Sequence, residues 1–225
     1  MAHRMERQYD IVTFDCYGTL IDWESGITDA FVRTAREYGV ELRREEVLRA
    51  YEIIEPVVER EQFRFYRDVL AETASRVAHA LGWPLAFELS TFLASSMSSW
   101  KPFPDTNAAL ERLRAAGYEL GILSNVDDDL LSATRRHFTV DFDLIVTAQQ
   151  VQSYKPAPGH FLEAKRRIGS DRWLHAAQSN FHDIVPTNAL GIDNAWVNRR
   201  SDAPLPGGTP KYDVRDMAEL AGLLT

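Results

Sequence analysis

Short unbroken apolar runs recur along the chain, each closed by small polar residues. Ile11-Val12-Thr13-Phe14 stops at Asp15 and is followed by a glycine at Gly18. The run from Tyr118 to Leu123 stops at Ser124-Asn125, and Leu144 to Thr147 precedes Ala148. Trp173 to Ala177 stops near Gln178-Ser179-Asn180, and Asn194 to Val197 stops at Asn198. Runs this short, without polar alternation and bounded by turn residues, predict buried strands. Helix-competent segments follow the second, third and fourth runs. Strand and helix in alternation, with short connections, predict a parallel sheet covered on both faces.

The stretch between the first two runs is too long for a simple crossover, and from about Asp22 to Ser99 its period is helical. Ile27, Phe31 and Ala35 share one stripe, and Phe63, Tyr66 and Leu70 another. Gly39 and Gly82-Trp83-Pro84 read as helix stops. The pattern predicts a helical cap over 21–99, inserted after the first strand of an α/β core made of 1–20 and 100–225. Trp100 to Asp105 is the return linker, stiffened by two prolines, with Asp105 or Thr106 placed to cap the next helix. No internal repeat or low-complexity segment interrupts this layout.

Composition narrows the class. With 45% hydrophobic and 26% charged residues among 225, the chain can build a core and is no candidate for disorder. A formal net charge of -8 repels phosphate backbones, so nucleic acid is not expected as a partner. Cys16 is the single cysteine, which excludes an intrachain disulfide and suits a reducing compartment. Met1 to Asp10 lacks the apolar stretch of a signal peptide, and no apolar run reaches the ~18 residues of a membrane span. A cytoplasmic enzyme is the expectation. The apolar cap faces leave room for a homodimer.

In open α/β sheets ligands bind beyond the carboxyl ends of the strands. The polar residues at those ends are Asp15, Tyr17 and Thr19 after strand one, Ser124 and Asn125 after strand two, Ser153-Tyr154-Lys155-Pro156 after strand three, and Gln178, Ser179, Asn180 and Asp183 after strand four. Carboxylate, lysine, hydroxyl and amide groups on one edge suit nucleophilic catalysis. Side chains alternate along a strand, so if Asp15 faces the site the Cys16 thiol turns to the core. Asp127, Asp128 and Asp129 begin a predicted helix, where acids suit the dipole, and read as a solvated first turn rather than a metal site. His182 has no metal-ligand partner in sequence. Trp23 follows the first loop closely enough to line a pocket.

Those residues carry a resemblance. Phe14-Asp15-Cys16-Tyr17-Gly18-Thr19-Leu20, Ile122-Leu123-Ser124-Asn125, Tyr154-Lys155-Pro156 and the segment Ala177 to Gly191 resemble, in order and at ordinary spacing, the four motifs of the haloacid dehalogenase superfamily. The resemblance implies a Rossmann-like core with Asp15 as covalent nucleophile. Within the superfamily, phosphatases place a second aspartate two residues after the nucleophile and a metal-binding aspartate early in motif four. Tyr17 and Gln178 stand there instead, and this is the pattern of the L-2-haloacid dehalogenases. By that resemblance Lys155 holds the charge of Asp15, and Ser124 with main-chain amides from Cys16 onward grips a small carboxylate. Tyr17, Thr19, Trp23, Asn125, Gln178 and Ser179 complete the substrate site, and Asn180 and Asp183 orient the hydrolytic water. Neither metal nor cofactor is implied.

The match has departures. The dehalogenases carry an arginine early in the cap, where Val57 stands here, with Arg60 and Arg64 nearby to supply charge at the seam. A tyrosine six residues after the motif-three lysine is Phe161. Gln178 to Asp183, and Asp15 to Glu24, resemble the branch that includes azetidine-2-carboxylate hydrolase, which would make the leaving group a ring amine protonated by His182 or Tyr17. Three activities therefore stay open: hydrolysis at the α-carbon of a 2-substituted carboxylate through an aspartyl ester, ring opening of a cyclic amino acid, and magnesium-dependent hydrolysis of a small phosphate ester.

Overall fold

The computed structural model describes residues 7–225, so part of the Met1–Asp10 stretch lies outside the described residues. Six parallel strands, β1 (Ile11–Phe14), β2 (Glu119–Ser124), β3 (Leu144–Thr147), β4 (Trp173–Ala177), β5 (Asp193–Val197) and β6 (Tyr212–Val214), form one sheet in the order β3-β2-β1-β4-β5-β6. The five strands expected from the apolar runs are present within a residue at either end. The sixth was not expected. It is three residues long, sits at the sheet edge and has an exposed acid at its centre, so it lacks the apolar run that marks the others.

β1 pairs with β2 on one side and β4 on the other, with Phe14 beside both Ile122 and Ala176. The chain moves outward from β1 in both directions, so the crevice between diverging connections opens at the carboxyl end of β1. All four β1 residues are buried, as a central strand covered on both faces requires.

Four helices lie between β1 and the return linker that begins at Trp100: α1 (Trp23–Glu37), α2 (Arg44–Glu59), α3 (Tyr66–Ala80) and α4 (Phe92–Ser96). The stripe Ile27, Phe31 and Ala35 is buried, and Leu70 is buried with Ala74 and Val77. Each large side chain removed from water in this way contributes about 1.5–3 kcal/mol. α3 begins at Tyr66, so Phe63 lies before it rather than on its stripe, and its ring packs on Tyr154 at 5.3 Å. The chain crosses between helices and sheet twice, and the crossings are tied: Asp22 N donates to Lys101 O, and Phe103 N to Leu20 O. Gly26 is required at this junction, because a Cβ there would lie 2.4 Å from Trp100 Cγ.

α5 (Thr106–Ala115), α6 (Asp128–Thr134), α7 (Ala148–Val151), α8 (Gly159–Ile168), α9 (Val185–Ala189) and α10 (Met217–Leu224) complete the fold. Asp105 does not cap α5 through its side chain. Its oxygens accept from Arg199 and from Met217 N, at the start of α10, while Thr106 Oγ1 donates to Leu20 O. Among the described residues no helix is long and apolar enough to cross a membrane.

Candidate active site

Asp15 extends β1 by one bond, its N donating to Ala176 O, and its side chain is nearly buried. The turn that follows needs Gly18, with φ +97°, to bring Thr19 back over the carboxylate. Thr19 Oγ1 accepts from Gln178 N at 2.9 Å, which directs the hydroxyl proton onto Asp15 Oδ2 at 3.0 Å. One oxygen of Asp15 is thus oriented by Thr19, and the other meets Lys155.

Lys155 is buried, and its ammonium makes three contacts: Asp15 Oδ1 at 2.9 Å, Asp183 Oδ1 at 2.7 Å and Leu123 O at 2.9 Å. An ammonium has three protons, so none remains for a substrate. The group positions and neutralises carboxylates. Its main chain is held by Asn125, which accepts from Lys155 N at 2.7 Å and donates to Lys155 O at 3.1 Å. Burial alone would lower the Lys155 pKa, but Asp15 and Asp183 raise it, and the ammonium stays charged. For Asp15 burial outweighs Lys155 and pushes the carboxyl above its ordinary value. Asp183 is also buried, yet Lys155 and His175 hold it below its ordinary value.

His175 orients Asp183 through a hydrogen-bond chain. Trp173 Nε1 donates to Thr13 Oγ1 at 2.7 Å, leaving the Thr13 hydroxyl proton for His175 Nδ1 at 2.8 Å. Nδ1 is then an acceptor, and Nε2–H donates to Asp183 Oδ1 at 3.0 Å. Asp183 Oδ1 is fully engaged. Oδ2 is buried and has no partner.

A cavity of about 260 Å³ opens between these strand ends and α1, α2 and Trp100. Asp15, Lys155, Asp183, Tyr17, Trp23, Ser124, Asn125, Gln178 and Ser179 all line it, so most of the residues predicted from sequence are brought together. Ser124 is buried and its Oγ has no partner, which leaves it able to donate to a ligand. Cys16 is packed in the core with its thiol pushed up by burial, and Thr19 stands behind Asp15; neither lines the cavity. Asn180 does not reach it either. Its amide braces a distant loop, donating to Gly208 O at 2.8 Å and accepting from Leu205 N at 3.1 Å.

Other expectations are corrected. Tyr17 is no acid for a leaving group: its hydroxyl pairs with Thr134 Oγ1 at 2.8 Å, and burial raises its pKa well above the usual phenol value. Among the described residues no arginine lines the cavity. Arg64 pairs with Glu61, and Arg60 is exposed. Asp127 is buried rather than solvated and accepts from Tyr66 N and Arg67 N across the seam. His182 does line the cavity, but burial lowers its pKa to about 4, so it is neutral near pH 7.

The sequence reading missed Tyr51, Glu55, Glu59 and Tyr66, which close the cavity from the cap side. The signal was available: 51, 55 and 59 recur every four residues and fall on one face of α2, in line with buried Val47. Glu55 Oε1 accepts from Tyr66 Oη at 3.2 Å, and Glu59 Oε1 from Asn125 Nδ2 at 3.2 Å.

A magnesium ion fits these donors poorly. It favours a near-octahedral set of oxygens. Asp15 Oδ1 and Asp183 Oδ1 already bind an ammonium, and the third position of a phosphatase site is the neutral amide of Gln178.

A family model described as haloacid dehalogenase-like hydrolase matches residues 9–178, and the chain belongs to that family of enzymes. (S)-2-haloacid dehalogenase 4A of Burkholderia cepacia is 28% identical over 94% of this chain and 93% of its own length. (S)-2-haloacid dehalogenase of Pseudomonas putida is 28% identical over 95% of each. The structure of L-2-haloacid dehalogenase from Xanthobacter autotrophicus with chloropropionic acid covalently bound superposes with a TM-score of 0.78, at 20% identity over 96% of this chain and 98% of that one. The last likeness establishes the shared fold.

Proposed function

We propose that this enzyme hydrolyses the α-carbon substituent of a small 2-substituted carboxylate through an ester of Asp15, as a 2-haloacid dehalogenase does. The observation that carries the reading is the state of Asp15. It is a nearly buried carboxylate on the floor of a small cavity, with one oxygen oriented by Thr19 and its charge balanced by a lysine with no proton left for substrate. Ser124 Oγ, unpartnered in the same cavity, supports a grip on the substrate carboxylate. The segment 21–99 serves as the cap that shuts the seam.

In the first step an Asp15 oxygen attacks the α-carbon, and the bond to the substituent breaks with its electron pair. In the second, water attacks the Asp15 carbonyl carbon. Asp183 Oδ2 accepts the water proton and returns it to the departing alkoxide oxygen, so the hydroxy acid leaves with the oxygen that Asp15 first supplied and Asp15 loses its remaining proton to solvent. Asp183 lines the cavity and its Oδ2 is buried without a partner, which supports that role. The chemistry requires no metal, and Tyr17 supplies no acid for a phosphate ester. A single buried thiol, Cys16, supports a cytoplasmic setting.

Single-turnover hydrolysis of 2-chloropropionate in ¹⁸O-water tests the reading. The label is expected in the Asp15 peptide and not in the first product. Label in the first product would mean that water attacks the substrate directly. Turnover abolished by EDTA and restored by magnesium would return the phosphatase alternative.

A further inference from the structure

His175 stands in the middle of β4, paired in register with Thr13 of β1, and neither residue lines the cavity. Both are fully buried. The Phe161 ring packs edge-on to the imidazole at 5.3 Å and offers it no polar atom. Both ring nitrogens are nonetheless engaged. Nδ1 takes the Thr13 hydroxyl proton at 2.8 Å, and Nε2 donates to Asp183 Oδ1 at 3.0 Å. A neutral imidazole has one acceptor and one donor, so this ring has nothing left to give and its tautomer is fixed.

Among the described residues two side chains donate to the Asp183 carboxylate, Lys155 and His175, and both bonds go to Oδ1. Two donors fill the lone pairs of one carboxylate oxygen, which leaves Oδ2 as the free acceptor. The two donors differ in one respect. The Lys155 ammonium is shared with Asp15, and the His175 imidazole is not. In the free enzyme one ammonium stands between two carboxylates. Once Asp15 is an ester it carries no charge, and the ammonium faces Asp183 alone. The pull of Lys155 on Asp183 therefore changes between the two half-reactions, whereas the bond from a neutral imidazole does not depend on the charge of Asp15.

We infer that His175 is a positioning residue for the second half-reaction alone: with its tautomer set by Thr13, it holds Asp183 Oδ1 in place so that Oδ2 takes the proton of the attacking water. The inference rests on the two-step reading of Asp15 given above and assigns a residue outside the cavity to one of its steps. Ester formation makes no use of the free Asp183 oxygen, so the first half-reaction should be nearly indifferent to His175.

The test separates the two steps. Enzyme in excess is mixed with 2-chloropropionate, and chloride, hydroxy acid and esterified protein are followed through the first turnover. His175→Asn keeps an amide near Thr13 but is too short to reach Asp183, while His175→Gln places an amide nitrogen near the position of Nε2. In His175→Asn chloride release should stay within about threefold of the unmodified protein and hydroxy acid release should slow at least about tenfold, since misplacing a group costs rate in the step that uses it. Protein esterified on its Asp15 peptide should then accumulate. His175→Gln should recover most of the lost hydroxy acid rate. Thr13→Val reads the same split with the imidazole left in place, and hydroxy acid release should slow by about threefold or more while chloride release is kept. Equal slowing of both steps, as from a general loss of structure, overturns the inference. So does hydroxy acid release that is unchanged or faster in His175→Asn. If His175→Asn does not fold, absence of the split in Thr13→Val overturns it. The reading of Asp15 fails separately: an unmodified protein that forms hydroxy acid without ever carrying an ester on Asp15 sinks the two-step reaction, and the role of His175 with it.

Discussion

Asp127 Oδ1 accepts the main-chain N–H of Tyr66 at 2.8 Å, and its second oxygen accepts that of Arg67 at 3.1 Å. A carboxylate from the loop after β2 therefore caps α3, whose own N-cap residue, Phe65, offers no side-chain acceptor. Two of the orphan donors of that helix are satisfied from outside the segment. The bond also sets the side of the cavity that Tyr66 closes.

Asp127→Ala is expected to lower stability by about 1–2 kcal/mol, the usual loss for a helix cap. The Tyr66 and Arg67 amides should exchange with solvent faster than the rest of α3. Hydrogen exchange at residue resolution reads this directly, and unchanged protection at those two amides would remove the capping role.

Removing Lys155 isolates two buried carboxylates. Lys155→Met is expected to destabilise the fold by about 3–5 kcal/mol, because breaking a buried pair leaves uncompensated charge. Adding Asp183→Asn to it should recover part of the loss. Urea unfolding of the single and double variants decides, and a double variant no more stable than the single one contradicts the charge argument.

The two carboxylates should separate activity from stability on the acid side. Asp15 is raised above its ordinary 3.8, chiefly by burial, and only its ionised form attacks carbon. The rate should therefore fall through a midpoint above that value as pH drops. Asp183 is depressed: burial would raise it, but Lys155 and His175 lower it. Its stabilising contribution is complete above the unfolded value of about 3.9 and is lost only as pH falls toward the lower folded one. Activity should thus vanish at a pH where the fold still stands. Parallel profiles of kcat/KM and tryptophan fluorescence test this, and coincident loss of both would contradict it.

Gly18→Ala should cost about 1–2 kcal/mol, since φ +97° lies where L residues are strained. The added Cβ would also meet Gln178 Oε1 and Trp23 Nε1 at 3.1 Å each. Both lines of contact lead to the cavity wall, so KM should rise along with the loss of thermal stability. A variant with normal KM would show that Trp23 does not depend on this turn.

Much of the site was legible along the chain because each chemical residue ends an apolar run. Asp15, Ser124 and Asp183 lie at or just past strand ends, and a parallel sheet gathers its carboxyl ends on one edge. Lys155 was legible through its motif. Asn180 was misplaced because an amide near a strand end looks equally able to face the site or brace a loop, and only the loop at 205–208 decides between them.

The pattern of residues by itself determined the central strand, the carboxylate at its end and the helical block inserted after it, because burial and strand period act over a few neighbouring positions. Tertiary structure alone decided how those parts face one another. The three protons of Lys155 are assigned by oxygens drawn from residues 15, 123 and 183, and the Asp127 carboxylate finds its partners 60 and 61 residues away. The sequence alone assigns the glutamates of α2 no role. Packing of α2 over the strand ends leaves Glu55 and Glu59 partly buried along the cavity, and no local pattern carries that information because the groups that cover them come from elsewhere in the chain.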